Sequence, residues 1–272
     1  EINEQTIRNL KENTLYYEDA TPYLYLKGKL EGSLANKKIR HVFLDEAQDY
    51  SPFQLALFRE FFPKSKMTVL GDFNQAIYPH TENLNALLAN DIYDIATAER
   101  IVLTRSYRST FEITHFTKPL VGGTDDIIPF NRHGEKPHLV MVDDEQHHQK
   151  IVEDIHELTV EGHETIAIIC KTAKESKRAY EALRQTLPVV LMDKKTSTFE
   201  KGILVLPAYL AKGIEFDAVI IYDASKLQYK REEELKLFYT ACTRAMHVLH
   251  LFSVGDVSPF IQKVPKEYYT LS

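Results

Sequence analysis

The 272-residue sequence predicts an α/β protein with two parallel-sheet domains. From Ile39 onward, short apolar runs that suit buried strands alternate with segments of helical periodicity. This order is typical of parallel strands joined by right-handed crossover helices. One stretch rich in glycine and proline interrupts the alternation and predicts a linker. We therefore expect four parts: a helical lead-in over 1–38, a first domain over 39–122, a linker over 123–137 and a second domain over 138–272.

Local patterns predict the elements of the lead-in and the first domain. Residues 1–36 are polar with scattered tyrosines and predict one or two short helices. Ser51 suits a helix cap, and Pro52 suits a first helical turn. Strands are predicted over Ile39–Leu44, Met67–Leu70 and Ile101–Leu103, and helices over Pro52–Phe62, Asn83–Asn90 and Ser109–Leu120.

The second domain shows a second run of alternating strands and helices. Its apolar runs are bounded by turn residues, as expected for strands buried in a parallel sheet. Strands are predicted over His138–Val142, Thr165–Cys170, Val189–Met192, Gly202–Leu206, Asp217–Tyr222 and His247–Phe252. Helices are predicted over Gln146–Glu161, Ala173–Thr186 and Glu232–Arg244.

The composition excludes several classes of protein. The net charge of −6 and the isoelectric point of about 6.0 exclude a surface that binds polyanions everywhere, so nucleic acid would need a local basic groove. Cys170 and Cys242 lie in apolar segments, which argues against a disulfide framework and predicts a reducing, cytoplasmic compartment. No apolar run approaches the roughly 18–20 residues of a membrane span. The chain starts at Glu1 rather than Met, which predicts an upstream half of a longer parent chain.

Two adjacent carboxylates follow the first apolar run of the first domain. Asp45 and Glu46 come directly after Val42–Leu44, where a buried parallel strand would end at the carboxyl edge of its sheet. An Asp at that edge can hold Mg²⁺, and the next Glu can orient an attacking water. The alternative is a solvated acidic turn after a strand.

Four further segments put polar groups at a predicted strand end or just beyond it. They are Gly71–Tyr78 with Gln75, Leu103–Ser109 with Tyr107 and Arg108, Ala211–Asp217 with Glu215, and Phe238–Ala245 with Arg244. Carboxylates for Mg²⁺, an amide that positions water and two arginines are the components of a site that hydrolyses a nucleoside triphosphate. Other interpretations stay open: the arginines could form surface ion pairs, Tyr107 could serve packing, and Glu215 could be a solvated turn residue.

Together these segments resemble motifs II to VI of the UvrD/Rep-type superfamily 1 helicases, in the family's order. Asp45–Asp49 resembles the Walker B motif, and Gly71–Tyr78 resembles motif III. Leu103–Ser109, Lys212–Asp217 and Tyr239–Ala245 resemble motifs IV, V and VI. The resemblance implies two RecA-like parallel-sheet domains of the P-loop NTPase type, the first of them incomplete in this chain.

The resemblance also implies a role for each matched residue, with ATP and Mg²⁺ as ligands. Asp45 and Glu46 would bind the metal, and Glu46 would also polarise the water. The implied nucleotide contacts are Gln75 at the γ-phosphate, Tyr107 stacked on adenine, Arg108 and Arg244 as arginine fingers, Glu215 near the ribose, and Lys212 and Gly213 beside it.

The sequence departs from the family pattern at three points. It contains no Gly-x-x-x-x-Gly-Lys-Ser/Thr loop, which would cradle the β- and γ-phosphates. Pro207 and Tyr209 stand where motif V carries Thr and His, and Ser106 stands where motif IV carries Asn. The chain has no Trp to stack on a single-strand base. The altered strand-contact positions predict weak strand tracking. As a third departure, too few residues separate motif IV from motif V for the large insertion that typical UvrD-type helicases carry there.

The wording of residues 45–54 and these departures most resemble the HelD family of UvrD-related ATPases associated with bacterial RNA polymerase. That resemblance implies a motor that remodels complexes of RNA polymerase with nucleic acid. The alternative is an ordinary ATP-dependent single-strand DNA translocase or helicase. A third hypothesis is a scaffold that has lost hydrolysis but kept the fold.

Overall fold

The computed structural model describes residues 2–32, 35–76, 98–122, 127–193, 196 and 201–272. The chain divides into two compact units, Glu1–Arg100 and Ile101–Ser272. The predicted helix Asn83–Asn90 lies outside the described residues, as do Ile77 and Tyr78. In the described part of the chain, no helix is both long and apolar enough to cross a membrane.

The first unit is built around two parallel strands and three helices. These are α1 (Ile2–Lys11), α2 (Tyr17–Glu31), β1 (His41–Leu44), α3 (Pro52–Phe61) and β2 (Lys66–Val69). β1 pairs with β2, with Leu44 opposite Val69, so both strands end at the same edge. Leu44 and Leu55 are buried between the strands and α3.

Helix α3 begins where the sequence predicted it. The Ser51 hydroxyl accepts a hydrogen bond from the Gln54 backbone N–H at 3.3 Å, and the Gln54 side chain accepts one from the Ser51 N–H at 2.8 Å. This reciprocal capping box satisfies two donors that would otherwise lack a partner at the helix start.

The second unit contains a seven-stranded sheet, with strand order β11-β5-β10-β9-β6-β8-β7, in which every pair is parallel. A separate parallel pair consists of β3 and β4. The strands are β3 (Arg105–Ser106), β4 (Ile128–Pro129), β5 (His138–Val142), β6 (Thr165–Cys170), β7 (Val189–Leu191), β8 (Gly202–Pro207), β9 (Phe216–Ile221), β10 (Ala245–Val254) and β11 (Thr270–Leu271). The helices are α4 (Phe111–Thr117), α5 (His147–Val160), α6 (Ala173–Leu183), α7 (Leu235–Cys242) and α8 (Pro259–Gln262).

The large sheet has a hydrophobic core on each face. On β6, Ala167 and Ile169 enter one buried cluster, whereas Ile166 and Ile168 enter the other. Because both faces are covered, β6 is apolar from Ile166 to Cys170 instead of alternating. The predicted α/β class with parallel sheets is therefore confirmed.

Residues 101–122 differ most from the predictions. Ile101–Leu103 was predicted as a strand, but these residues pair with no neighbour among the described residues, and Leu103 is 86% exposed. The strand forms instead at Arg105–Ser106, which pairs with Ile128–Pro129. An apolar run of three residues becomes a strand only beside a partner, and the sequence pattern carries no information about that partner.

The helix that follows is shorter than predicted and packs in the second unit. α4 starts after Thr110, whose hydroxyl accepts from the Ile113 N–H, and a 3-10 turn replaces its last residues at Lys118–Val121. Ile113 and Phe116 are buried in the cluster that contains Leu249. The compact units therefore divide at Arg100, whereas the sequence placed residues 101–122 in the first domain.

Candidate functional site

The two predicted carboxylates lie directly beyond the end of β1. Asp45 is exposed, and its Oδ1 accepts a hydrogen bond from the Glu46 backbone N–H at 2.8 Å. Glu46 has φ 50° and ψ 41°, in the left-handed region that non-glycine residues rarely adopt. This turn directs the chain into the 3-10 turn at Ala47–Asp49, which closes against the end of β2 through Ala47 N–H to Leu70 O at 2.8 Å.

A chain of hydrogen bonds links Glu46 to the predicted Gln75. Gln48, fully buried, donates from Nε2 to Glu46 Oε2 at 2.6 Å and accepts at Oε1 from the Asp72 N–H at 3.0 Å. Asp72 Oδ2 in turn accepts from Gln75 Nε2 at 2.8 Å. The residues that follow β1 and β2 therefore form one connected polar set.

Gly71 allows this close approach. A Cβ at position 71 would lie 2.6 Å from Gln48 Oε1 and 3.3 Å from the Ala47 backbone nitrogen. Any side chain here would displace the Gln48 amide. The glycine is therefore required by packing at the end of β2.

The carboxylates suit a Mg²⁺ ion that takes most of its ligands from elsewhere. Mg²⁺ in nucleotide sites binds one or two carboxylates, and substrate phosphates and waters complete its shell. Asp45 fits this pattern, because it is exposed at the strand end with one oxygen hydrogen-bonded. The described residues contain no cluster of three or more His, Cys, Asp or Glu side chains that could hold a metal alone.

Two of the predicted residues in the second unit are paired with each other. Arg108 Nε hydrogen-bonds Glu215 Oε1, and both side chains remain more than a third exposed. Tyr107, next to this pair in sequence, is 60% exposed, and its ring centroid lies 5.1 Å from that of Phe130. An exposed aromatic face beside an arginine and a carboxylate can stack a planar base and bind the polar groups attached to it.

Arg244, predicted as a second finger, is buried, with 1% of its surface exposed. Its Nε donates to Thr240 O at 3.1 Å, and its Nη2 donates to Thr243 Oγ1 at 3.3 Å. Lys212 is half-buried, and Gly213 has φ +78°, which a side chain would strain. Both lie in the turn between β8 and β9.

Glu215 and Arg244 lie at the amino ends of strands in the second unit. Glu215 directly precedes β9, and Arg244 directly precedes β10. The Phe216 N–H donates to Arg244 O at 3.0 Å, which joins the two strand starts. The sequence predicted that the polar groups of all five segments follow strand ends. For the segments of Glu215 and Arg244 this is wrong, because each crossover returns the chain to the start of the next parallel strand.

Four residues that contribute to these sites were absent from the predicted set. Gln48 lies in the segment Asp45–Asp49, and Asp72 lies in Gly71–Tyr78. Both could have been found, because each is a polar residue beside a predicted strand end. Phe130 and Arg132 come from the stretch predicted as a linker, where no sequence signal marked them. Arg132 Nη2 donates to Arg108 O and to Met246 O, the latter at 3.0 Å, and so holds the Arg108 segment against β10.

The carboxyl edge of the large sheet carries a different charged cluster. Lys171 follows β6 and bonds Glu234 Oε1 at 2.8 Å. Burial alone would raise the pKa of Glu234, but hydrogen bonds from Lys171 and from the Lys230 and Arg231 backbones outweigh it and lower the pKa to about 2. This cluster stabilises the turn before α7 and lies at the opposite strand ends from Glu215.

Two family models match the segments that carry these residues. The UvrD/REP helicase N-terminal domain matches residues 15–90, which include Asp45 to Gln75. The UvrD-like helicase C-terminal domain matches residues 202–252, which include Glu215 and Arg244.

The solved structures include a similar chain, the C-terminal domain of a "possible DNA helicase" from Lactobacillus plantarum WCFS1. It is 38% identical with a TM-score of 0.53, and the match covers 61% of this chain and 98% of that one. The chain belongs to the UvrD-like superfamily 1 helicases. Among curated helicases, the "Putative ATP-dependent DNA helicase" of Acanthamoeba polyphaga mimivirus is 27% identical over 270 residues, which cover 86% of this chain. The "Probable DNA helicase II homolog" of Mycoplasma capricolum is 28% identical over 136 residues, or 47% of this chain.

This helicase chain spans only part of those relatives, 38% of the mimivirus protein and 19% of the Mycoplasma protein. A Saccharomyces cerevisiae Dbp5 variant bound to RNA and ADP BeF3 shares the fold, with a TM-score of 0.52 at 15% identity. That match covers 86% of this chain and 60% of the Dbp5 chain. The predicted RecA-like architecture is thereby supported.

Proposed function

We propose that this chain is the ATP-hydrolysing part of a DNA helicase or translocase. The observation that carries the proposal is the connected set Glu46, Gln48, Asp72 and Gln75 beyond two adjacent parallel strands. A carboxylate and an amide beyond the carboxyl ends of parallel strands support the proposal, because ligands bind at that edge in open α/β sheets. Membership of the helicase family makes ATP the expected substrate.

Each residue then has a role that follows from its chemistry. Bound Mg²⁺ neutralises charge on the phosphates, and Asp45 would hold it. Glu46 orients the attacking water and accepts its proton, and Gln75 hydrogen-bonds the γ-phosphate. Arg108 and Arg244 stabilise negative charge as the terminal phosphate leaves, because a guanidinium meets phosphate oxygens bidentately.

Lys212, Gly213, Glu215 and Tyr107 complete the proposed nucleotide contacts. Tyr107 offers an exposed ring to adenine, and Glu215 offers a carboxylate to the ribose hydroxyls. The positive φ of Gly213 lets the turn that contains Lys212 come close to the nucleotide without a side chain.

The phosphate-binding loop must come from elsewhere in the protein. The sequence contains one Gly-Lys pair, Gly28-Lys29, which is followed by Leu30 and lies within α2. The hydrolysing unit we propose therefore includes a further segment, and the 272 residues alone should bind ATP weakly and turn it over negligibly.

DNA is the favoured polymer, because both curated relatives carry DNA helicase names. The narrower hypothesis, an RNA-polymerase-associated motor of the HelD type, rests on the wording of residues 45–54 and on altered strand-contact positions such as Pro207. The relatives named above carry helicase names and do not mention RNA polymerase. RNA polymerase therefore remains the partner to test if DNA has no effect.

Steady-state ATP turnover of the full-length protein, with and without saturating single-stranded DNA, tests the proposal. Stimulation of turnover by DNA, together with unwinding of a tailed duplex, is expected for a helicase. ATP turnover that does not change when DNA is added would favour a motor that depends on a protein partner. Complete absence of turnover, with or without DNA and RNA polymerase, would contradict the proposal.

A further inference from the structure

We propose that Gln48 is a positioning residue for hydrolysis, which fixes the Glu46 carboxylate and couples it to the γ-phosphate contact at Gln75. The inference rests on the proposed ATPase function. It assigns a role to a buried side chain that would not touch the nucleotide, and makes Asp72 the link between the two strand ends.

The Gln48 amide has one orientation that satisfies both of its partners. Nε2 faces the Glu46 carboxylate at 2.6 Å, and Oε1 faces the Asp72 N–H at 3.0 Å. A flipped amide would oppose oxygen to carboxylate and NH₂ to N–H, and both contacts would be repulsive. The amide is thus held as a donor toward Glu46.

This bond restricts how the Glu46 carboxylate can turn. One carboxylate oxygen, Oε2, is bound by Gln48, so the carboxylate plane can rotate little. Because a general base acts only within hydrogen-bond reach of the water it deprotonates, a fixed plane raises the fraction of productive complexes.

The link continues through Asp72 to the second contact. Asp72 presents its N–H to Gln48, and its Oδ2 accepts from Gln75 Nε2 at 2.8 Å. A shift of Gln75 toward a γ-phosphate would therefore pull on Asp72 and reach Glu46 through Gln48. Gln48 therefore bridges the two motifs through its side-chain atoms.

Gly71 is an independent observation that the backbone packs closely against the Gln48 amide. Its absent Cβ is what leaves room for Gln48 Oε1, since the two atoms would stand 2.6 Å apart. Gly71→Ala should therefore displace Gln48, and its Cβ would also stand 3.3 Å from the backbone nitrogens of Ala47 and Gln48.

The experiment measures ATP turnover by Gln48→Ala, Gly71→Ala and the double variant of the full-length protein. We expect kcat to fall roughly 100-fold in Gln48→Ala while KM for ATP stays within about twofold, because misplaced catalytic groups slow chemistry more than binding. Gly71→Ala should lose kcat in the same way, and the double variant should lose no more than Gln48→Ala.

Gln54→Ala is the matched control, because it removes a hydrogen-bonded glutamine of the same unit that caps α3 and donates to Tyr17 Oη at 3.3 Å, outside the proposed nucleotide contacts. Its kcat should stay within about twofold of wild type. Wild-type kcat in Gln48→Ala, equal loss in Gln54→Ala, or additive loss in the double variant would overturn the proposal.

Hydrogen exchange at the Asp72 amide decides the geometry without ATP. It should accelerate in Gln48→Ala and stay slow in Gln54→Ala, because only Gln48 accepts from that N–H. Unchanged exchange in Gln48→Ala would show that the bridge does not exist. A wild-type protein without turnover would overturn the ATPase function and with it Gln48's part in hydrolysis, whereas the Asp72 amide would still report on the bridge.

Discussion

At the scale of single residues, the Arg108–Glu215 pair joins two side chains expected to meet the same nucleotide. The two are more than a third exposed, so the pair adds at most about 1 kcal/mol to stability. Nucleotide binding could therefore replace it at little cost. The contact keeps the guanidinium near the position where it would act.

Replacing Arg108 should change the rate of catalysis without changing the stability of the fold. Arg108→Ala in the full-length protein should lower kcat about 10³-fold, as loss of an arginine finger does, and change the free energy of unfolding by less than about 1 kcal/mol. Arg105→Ala is the control, because Arg105 is exposed on β3 and lies outside the proposed contacts. Steady-state kinetics and urea unfolding report the two effects, and wild-type turnover in Arg108→Ala would remove its role.

Glu234 predicts an acid-dependent loss of stability. Its pKa is lowered from 4.5 to about 2, so its stabilising interactions are complete above pH 4.5 and disappear as the pH falls toward 2. Glu234→Gln should cost about 2–3 kcal/mol at pH 7 and almost nothing near pH 2. Urea unfolding at a series of pH values measures this, with the exposed neighbour Glu233→Gln as control. A difference that persists at pH 2 would contradict the assignment.

At the scale of elements, the sequence predicted best the strands that are buried on both faces of the sheet. β6 and β9 are mostly apolar, with Thr165 and Asp217 near their starts, because both faces of the sheet are covered, and their bounds were predicted within one residue. Ile101–Leu103 has the same local pattern but pairs with no strand in the described part of the chain. The pattern reports burial within an element, whereas pairing depends on distant residues.

The cap of α3 is a local feature that the sequence carried completely. Ser51→Ala removes the acceptor for the Gln54 N–H and should destabilise the first unit by about 1 kcal/mol. Ser51→Asp should stay close to wild type, because Asp caps helices equally well. Urea unfolding of both variants tests this, and equal loss in the two would show that the cap is not the cause.

At the scale of the whole molecule, the two compact units should respond separately to core mutations. Leu55 belongs to the core of the first unit and Ile168 to that of the second, and both are fully buried. Each change to Ala should cost about 2–5 kcal/mol. Hydrogen exchange should accelerate only within residues 1–100 for Leu55→Ala and only within 101–272 for Ile168→Ala. Acceleration across both units in either variant would indicate one cooperative structure.

The proposed site was only partly predictable, because contacts between distant residues depend on how the strands pair and on their register. Strand-end reasoning placed Asp45, Glu46 and Gln75 on neighbouring strands, because that relation follows from the order of elements. The bridge through Gln48 joins residues 24 positions apart and needs the register of β1 against β2. Phe130 approaches Tyr107 through the pairing of β3 with β4, which no local pattern predicts.

The backbone of Glu46 has a conformation that is unusual for a glutamate. Among the described residues, two that are not glycine have positive φ, Asn13 and Glu46. Asn tolerates that conformation through its short polar side chain, but a longer side chain such as Glu is disfavoured there by about 1 kcal/mol. A fold selected for stability alone would favour glycine or asparagine at position 46. The glutamate therefore fits the proposal that the residue at position 46 is required for its carboxylate and not for its backbone conformation.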